Sequence, residues 1–256
     1  MSKKLMLVLC AAALFAVSAG AQTVDELIEK NIKALGGLDK MKSVQAEKIT
    51  GKMKMGPMEA PFTVVKKRPA SFRLDFTIQG MTGTQAYDGS NGWMVMPFMG
   101  KKDPEKMSED MLKNFRDEAD FDGPMIDYKT KGNKVEYLGK EDVQGTAAYK
   151  MKIVTKEGNE STVFLDADSY LEIRSESKRK VQGQEMEQET TIGDWKEVGG
   201  LMFPFSIESK AKGQEGAQVL TIEAVELNPK TVEQANFVMP EVKKAEEKKA
   251  EEPKKQ

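Results

Sequence analysis

Two hydrophobic periods divide the chain. Val24, Leu27, Ile28, Ile32 and Leu35 recur at helical spacing, which predicts an amphipathic helix over residues 23–35. Thr23 suits its N-cap, Asp25 and Glu26 sit favourably in the first turn, and Gly36-Gly37 stops it. From Val44 the period becomes two. Strands are predicted near 44–54, 59–68, 71–79, 82–88 and 92–97, then near 133–141, 146–156, 160–166, 170–180, 184–195, 202–210 and 217–227. "DGSNGW" (Asp88 to Trp93) and "KEGNE" (Lys156 to Glu160) carry the Gly and Asn that hairpin turns need. About a dozen short strands joined this way predict a mainly β fold, an antiparallel meander curling into a barrel or half-barrel.

One strand pair raises a question of its own. After Pro69, Phe72, Leu74, Phe76 and Ile78 alternate with Arg73, Asp75 and Thr77, so one face is strongly apolar and must be covered. Lys66, Lys67 and Arg68 crowd the corner before it.

The strand pattern breaks between Pro97 and Gly132. "DPEKMSEDMLKNFRDEADF" reads as a helix with Asp103 or Ser108 as cap and an apolar stripe of Met107, Met111, Leu112 and Phe115. Adjacent antiparallel strands need only a few connecting residues, so this insert is not expected to be a connector forced by topology. The chain also holds 17 Met, among them Met81, Met94, Met96, Met99, Met107, Met111 and Met125. Met in place of Leu as ordinary core is the plain reading; a soft surface that accepts varied apolar shapes is the other. A curved sheet with an apolar face and a helix with an apolar stripe describes a cavity with a lid, about residues 103–128.

Composition narrows the chemistry. Residues 1–21 have the parts of a cleaved secretory signal: Lys3 and Lys4, the apolar run from Leu5 to Val17, and Ala19-Gly20-Ala21. Cys10 falls too early in that run for a lipoprotein cysteine. Residues 22–242 are predicted to form one β domain, and 243–256 a charged tail that cannot bury enough to order itself. The formal charge is −2, and the excess of two cations in the leader and two in the tail leaves −6 between them. Net charge therefore argues against a nucleic-acid partner. With no His anywhere and the lone Cys in the leader, thiol catalysis, His-based triads, disulfides and nearly all zinc sites are excluded from the mature chain. Glu185, Glu187 and Glu189 share one strand face, most simply the wet one, and "DADS" (Asp166 to Ser169) lacks the later ligands of a calcium loop. No catalytic residues, metal or cofactor are expected.

"VVKKRPASFRLDF" is similar to the "KRP" strand corner of the LolA/LolB-type lipoprotein carriers. "YDGSNGWMVMP", "LDADSYLEIR" and "QANFVMP" resemble their later hairpins and closing segment, in the same order, over Thr23 to Pro240. The resemblance implies an unclosed antiparallel β-barrel with an N-terminal helix and a helical lid. Its cavity would hold the acyl chains of a lipoprotein crossing the periplasm towards the outer membrane, between membrane-bound donor and acceptor proteins. Arg68 matches the family arginine that holds the lid closed, by hydrogen bonds to lid carbonyls; Trp93 and Pro97 match hairpin positions. The acidic insert and the charged tail depart from the pattern. The expected ligand-binding residues are Phe72, Leu74, Phe76, Ile78, Trp93 or Val95, Tyr149, Met151 and Ile153, the facing of the Trp93 strand being left open, and Met107, Met111 and Phe115 belong to the lid. The reading is a monomeric, non-enzymatic periplasmic carrier. Its rivals are a lipid sensor of the same fold without a transport role, and a scaffold with a filled core.

Overall fold

The computed structural model describes residues 22–181, 184–213 and 215–241; the predicted leader and tail lie outside these. Helix α1 (Val24–Ala34) starts where the capping pattern places it. Thr23 Oγ1 accepts from the Glu26 amide at 3.2 Å, and the Glu26 carboxylate accepts from the Thr23 amide at 2.9 Å. A second short helix, α2 (Leu38–Ser43), follows without an apolar stripe, which is why periodicity does not reveal it.

Among the described residues, thirteen strands form one antiparallel sheet that is not closed. They are β1 (Ala46–Met55), β2 (Met58–Lys67), β3 (Ser71–Ile78), β4 (Met81–Tyr87), β5 (Gly92–Met96), β6 (Lys101–Lys106), β7 (Lys134–Val143), β8 (Thr146–Val154), β9 (Glu160–Asp166), β10 (Glu172–Val181), β11 (Gln184–Val198), β12 (Leu201–Ala211) and β13 (Gln218–Leu227). Two further helices, α3 (Glu109–Ala119) and α4 (Tyr128–Lys131), lie between β6 and β7. The two hairpin turns form as predicted: Asp88 Oδ1 accepts from the Ser90 and Asn91 amides, and Thr155 N donates to Asn159 O at 3.0 Å. The "DADS" segment is a turn, its Asp166 carboxylate accepting from the Asp168 and Ser169 amides.

The strand order is β6-β5-β4-β3-β2-β1-β13-β12-β11-β10-β9-β8-β7. The chain thus starts in the middle of the sheet, walks to one edge, crosses, and walks back from the other edge. Residues 107–133 make that crossing. This corrects the expectation that topology does not force the insert. Its two flanking strands are the two free edges, so a long connection is obligatory. The insert also starts later than residue 103, because "KKDPEK" is strand β6, paired with β5.

The register assigns the faces. Phe72, Tyr87 and Gly92 are direct cross-strand partners and share a face. Following partners from Phe76 through Phe62 and along β2 to Met58, then Met55, Gln218, Ser209, Thr190, Ser175, Val163 and Met151, shows that Met151 lies on that same face. Both α1 and α3 pack on it, so it is the inner face of an open half-barrel. Each large apolar side chain buried there contributes about 1.5–3 kcal/mol, which stabilises the fold.

Candidate functional site: the lid and the inner face

The inner face carries two separate apolar clusters. In the first, Phe72, Tyr87, Val64 and Leu74 of the sheet meet Leu112, Phe115 and Ala119 of α3. The Phe72 and Phe115 rings pack edge to face with centroids 5.7 Å apart. The sequence allows this close approach at one position in particular. A Cβ on Gly92 would stand 2.5 Å from Leu112 and 2.8 Å from Met107, so glycine makes room for the lid. Farther along, Phe76 packs on Phe98 over Gly83, where a Cβ would again collide with both rings. Ile78 lies at the hairpin tip opposite Met81, which is exposed. In the second cluster, Tyr149, Met151 and Ile153 meet Val163, Leu165 and the α1 residues Leu27 and Ile28. Met125 and Tyr128 from the insert pack against its border.

Expected site residues therefore divide. Phe72 and Leu74 lie under α3, while Tyr149, Met151 and Ile153 lie under α1, not in one common cavity. Trp93 is a correction. It pairs with Ala86, which pairs with Arg73, and so faces away from the lid. It is buried on the outer face, where its Nε1 donates to Phe237 O at 2.8 Å beneath the chain's closing segment. Of the lid residues, Met107 is buried beside Gly92 and Phe115 faces the sheet, while Met111 is half-buried. Ser108, not Asp103, caps α3, accepting from Met111 N.

Polar bonds tie the insert down along its length. Arg116 reaches Glu157 at 3.1 Å, and Asp117 accepts from Thr155 Oγ1 at 2.9 Å and Asn159 Nδ2 at 2.6 Å, which joins α3 to the β8–β9 hairpin. Lys131 holds the Asp120 carboxylate and the Gly123 carbonyl. Arg68 holds the loop between α3 and α4, but differently from the expectation. Its Nε and Nη2 donate to the carbonyls of Val44 (2.7 Å) and Met41 (3.0 Å), which are not in the lid. Its bond to the lid runs to the Asp122 carboxylate, at 2.9 and 2.5 Å. Lys42 adds a third bond to Asp122 at 2.6 Å, and the Arg68 guanidinium lies 4.4 Å from the Phe121 ring centroid. Burial pushes the Asp122 carboxyl up, but the hydrogen bonds from Arg68 and Lys42 outweigh this and hold its pKa at about 2.

Sequence reasoning missed Asp122, Lys42, Phe121 and Gly92. Asp122 lies in "FDGPMIDY", where no period marks it, and its partner is 54 positions away.

Of the voids that border the lid, two flank the segments that fasten it. One, of about 450 Å3, lies between α3 and the β8–β9 hairpin and is lined mainly by charged and polar residues such as Arg116, Glu118 and Lys131. The other, of about 280 Å3, lies beneath Phe121 and Asp122 against Val44, Glu47 and Trp195. The apolar sheet surface under α3 is occupied by lid side chains, so an apolar ligand reaches it only by displacing them. Among the described residues no cluster of acidic, His or Cys side chains could hold a metal, and no helix is long and apolar enough to cross a membrane.

No protein-family model and no curated protein matches the sequence. Solved structures do match. A DUF1329 family protein from Desulfovibrio piger aligns at TM-score 0.60 and 12% identity, over 85% of this chain and 98% of that one. A LolA superfamily protein from Nitrosomonas europaea aligns at 0.59 and 13%, over 85% and 98%. A domain classed as an outer membrane lipoprotein-sorting protein, from Vibrio parahaemolyticus, aligns at 0.57 and 10%, over 84% and 97%. The fold is LolA-like; identities this low speak to the fold alone.

Proposed function

We propose that the protein is a non-catalytic envelope carrier. It takes up the acyl chains of a lipid or lipoprotein on its inner face and moves them towards the outer membrane. One observation carries this reading. An amphipathic helix covers the apolar face of β3 and β4 and is fastened around its rim by ion pairs and hydrogen bonds. Acyl chains and α3 would compete for the same surface, which makes the lid a two-state element biased by ligand. Each buried CH2 contributes about 0.8 kcal/mol, so partial cover of two chains offsets the loss of the Leu112 and Phe115 contacts. The leader-like first 21 residues and the LolA-like fold support a periplasmic location. Native mass spectrometry of the protein purified from a bacterial periplasm tests the reading: a bound lipid mass, displaced by an acylated peptide and passed on to acceptor membranes, is expected. An apo mass that takes up no acylated peptide overturns it.

A further inference from the structure

The void under the lid loop contains a pair of opposite charges that the latch does not use. Glu47 of β1 and Lys66 of β2 are direct cross-strand partners on the inner face. Such partners have Cβ atoms about 4.5–5.5 Å apart, the usual setting for an ion pair. Yet among the described residues no hydrogen bond or ion pair ends on either side chain; Arg68, the other cation that acts on Glu47, is committed to Asp122, Met41 and Val44. Both side chains line the 280 Å3 void, whose other walls are largely apolar, including Val44, Phe121, Trp195 and Phe203. Burial raises the pKa of the Glu47 carboxyl, against the pull of Lys66 and Arg68. Glu47 is half-buried at the edge of the void.

Lys66, which lines the void, also reaches the first apolar cluster. The Lys66 ammonium lies 5.9 Å from the Phe72 ring centroid, and Phe72 is the residue on which Phe115 of the lid packs. A ligand with its chains under α3 would have its polar end at Glu47 and Lys66. Phe121 and Asp122 close over that end.

We propose that this void is a headgroup site for a zwitterionic amphiphile bearing a phosphate and a primary ammonium, as in phosphatidylethanolamine. The phosphate pairs with Lys66 and the ammonium donates to Glu47. A purely anionic head satisfies Lys66 and sets a second negative charge beside Glu47. A quaternary ammonium has no N–H to donate, so it leaves the carboxylate without a hydrogen bond. This inference deepens the proposed function and rests on it.

The test incubates the full-length chain with vesicles of equal phosphatidylethanolamine, phosphatidylglycerol and phosphatidylcholine content and reads the retained lipid by mass spectrometry. Phosphatidylethanolamine is expected in roughly tenfold excess over the other two, the factor of one charge-assisted hydrogen bond. Glu47→Gln is expected to bring its ratio to phosphatidylglycerol close to one while total lipid is kept. Lys66→Gln, a second variant, is expected to weaken retention of all phosphate-bearing heads. Competition by free phosphoethanolamine would show that the head alone suffices; its absence, with the lipid preference intact, would show that the chains are needed. No lipid retention at all sinks the carrier reading. Lipid retained without headgroup preference, or a preference that survives Glu47→Gln, overturns the headgroup site and leaves the carrier reading standing.

Discussion

Arg68 and Asp122 meet in a bidentate ion pair with Nη–Oδ distances of 2.9 and 2.5 Å, although 54 positions separate them. The rest of the guanidinium is committed to the carbonyls of Met41 and Val44. One side chain thereby joins the β2–β3 corner, the end of α2 and the lid loop. Its planar fork makes this possible, and a lysine could not reproduce it.

The pair is expected to act as a unit. Arg68→Leu should cost about 1–3 kcal/mol, because it leaves Asp122 short of a partner at 9% side-chain exposure. Amides of residues 120–127 should exchange faster in that variant. A double-mutant cycle with Asp122→Asn should give a coupling on the order of 1 kcal/mol or more; strictly additive losses would rule out the latch.

Acid should open the same latch. The Asp122 carboxyl has an ordinary pKa of 3.8 when free and about 2 here. A group with a depressed folded pKa contributes stability that is complete above its unfolded value and lost as pH falls through the folded one. The latch should therefore hold above about pH 4 and weaken from there to pH 2. Trp195 lines the void beneath Phe121, so its fluorescence in a Trp93→Phe background can report the change. In Asp122→Asn that transition should vanish; an unchanged transition would assign it elsewhere.

Glu172 should act with the opposite sign. It lies on the inner face as the partner of Leu165, and burial lifts its pKa from 4.5 to about 7 despite a hydrogen bond with Ser175. Between those values the unfolded chain releases its proton first, so stability falls as pH rises from about 4.5 to 7. Glu172→Gln should remove this slope and raise stability at pH 8 by on the order of 1–3 kcal/mol in urea unfolding. Equal slopes in both proteins would contradict the assignment.

Trp93→Phe separates the two faces of the sheet. The variant loses the hydrogen bond to Phe237 O and should cost about 1–2 kcal/mol. Acyl-chain uptake should stay as in the parent, whereas Phe72→Ala should reduce it. Loss of uptake in Trp93→Phe without loss of fold would return that residue to the binding face.

Period-two alternation and turn signals made twelve of the strands legible, β5 among them although its two faces are not told apart by polarity. Strand β6 escaped because "KKDPEK" holds no large apolar residue; it is a strand by backbone pairing to β5 alone. The apolar stripe of β3 pointed correctly to a surface that needs cover, and Leu112 and Phe115 pointed to what covers it. The facing of Trp93 was not legible, since β5 has only five residues and both of its faces are apolar. The latch was half legible. Arg68 was singled out by resemblance, but its partner depends on a loop brought close only by the fold.

Strand order has a mechanical consequence. Because the insert joins β6 to β7, it is anchored at both rims of the open barrel, like a string across a bow. It cannot swing away on a single hinge. Slack in the string and the spread of the rims are one coordinate, so a guest that lifts the insert must either draw the rims together or straighten the connecting loop. Filling of the interior would then be legible at the outermost strands, on the outside of the molecule, where another protein could sense it.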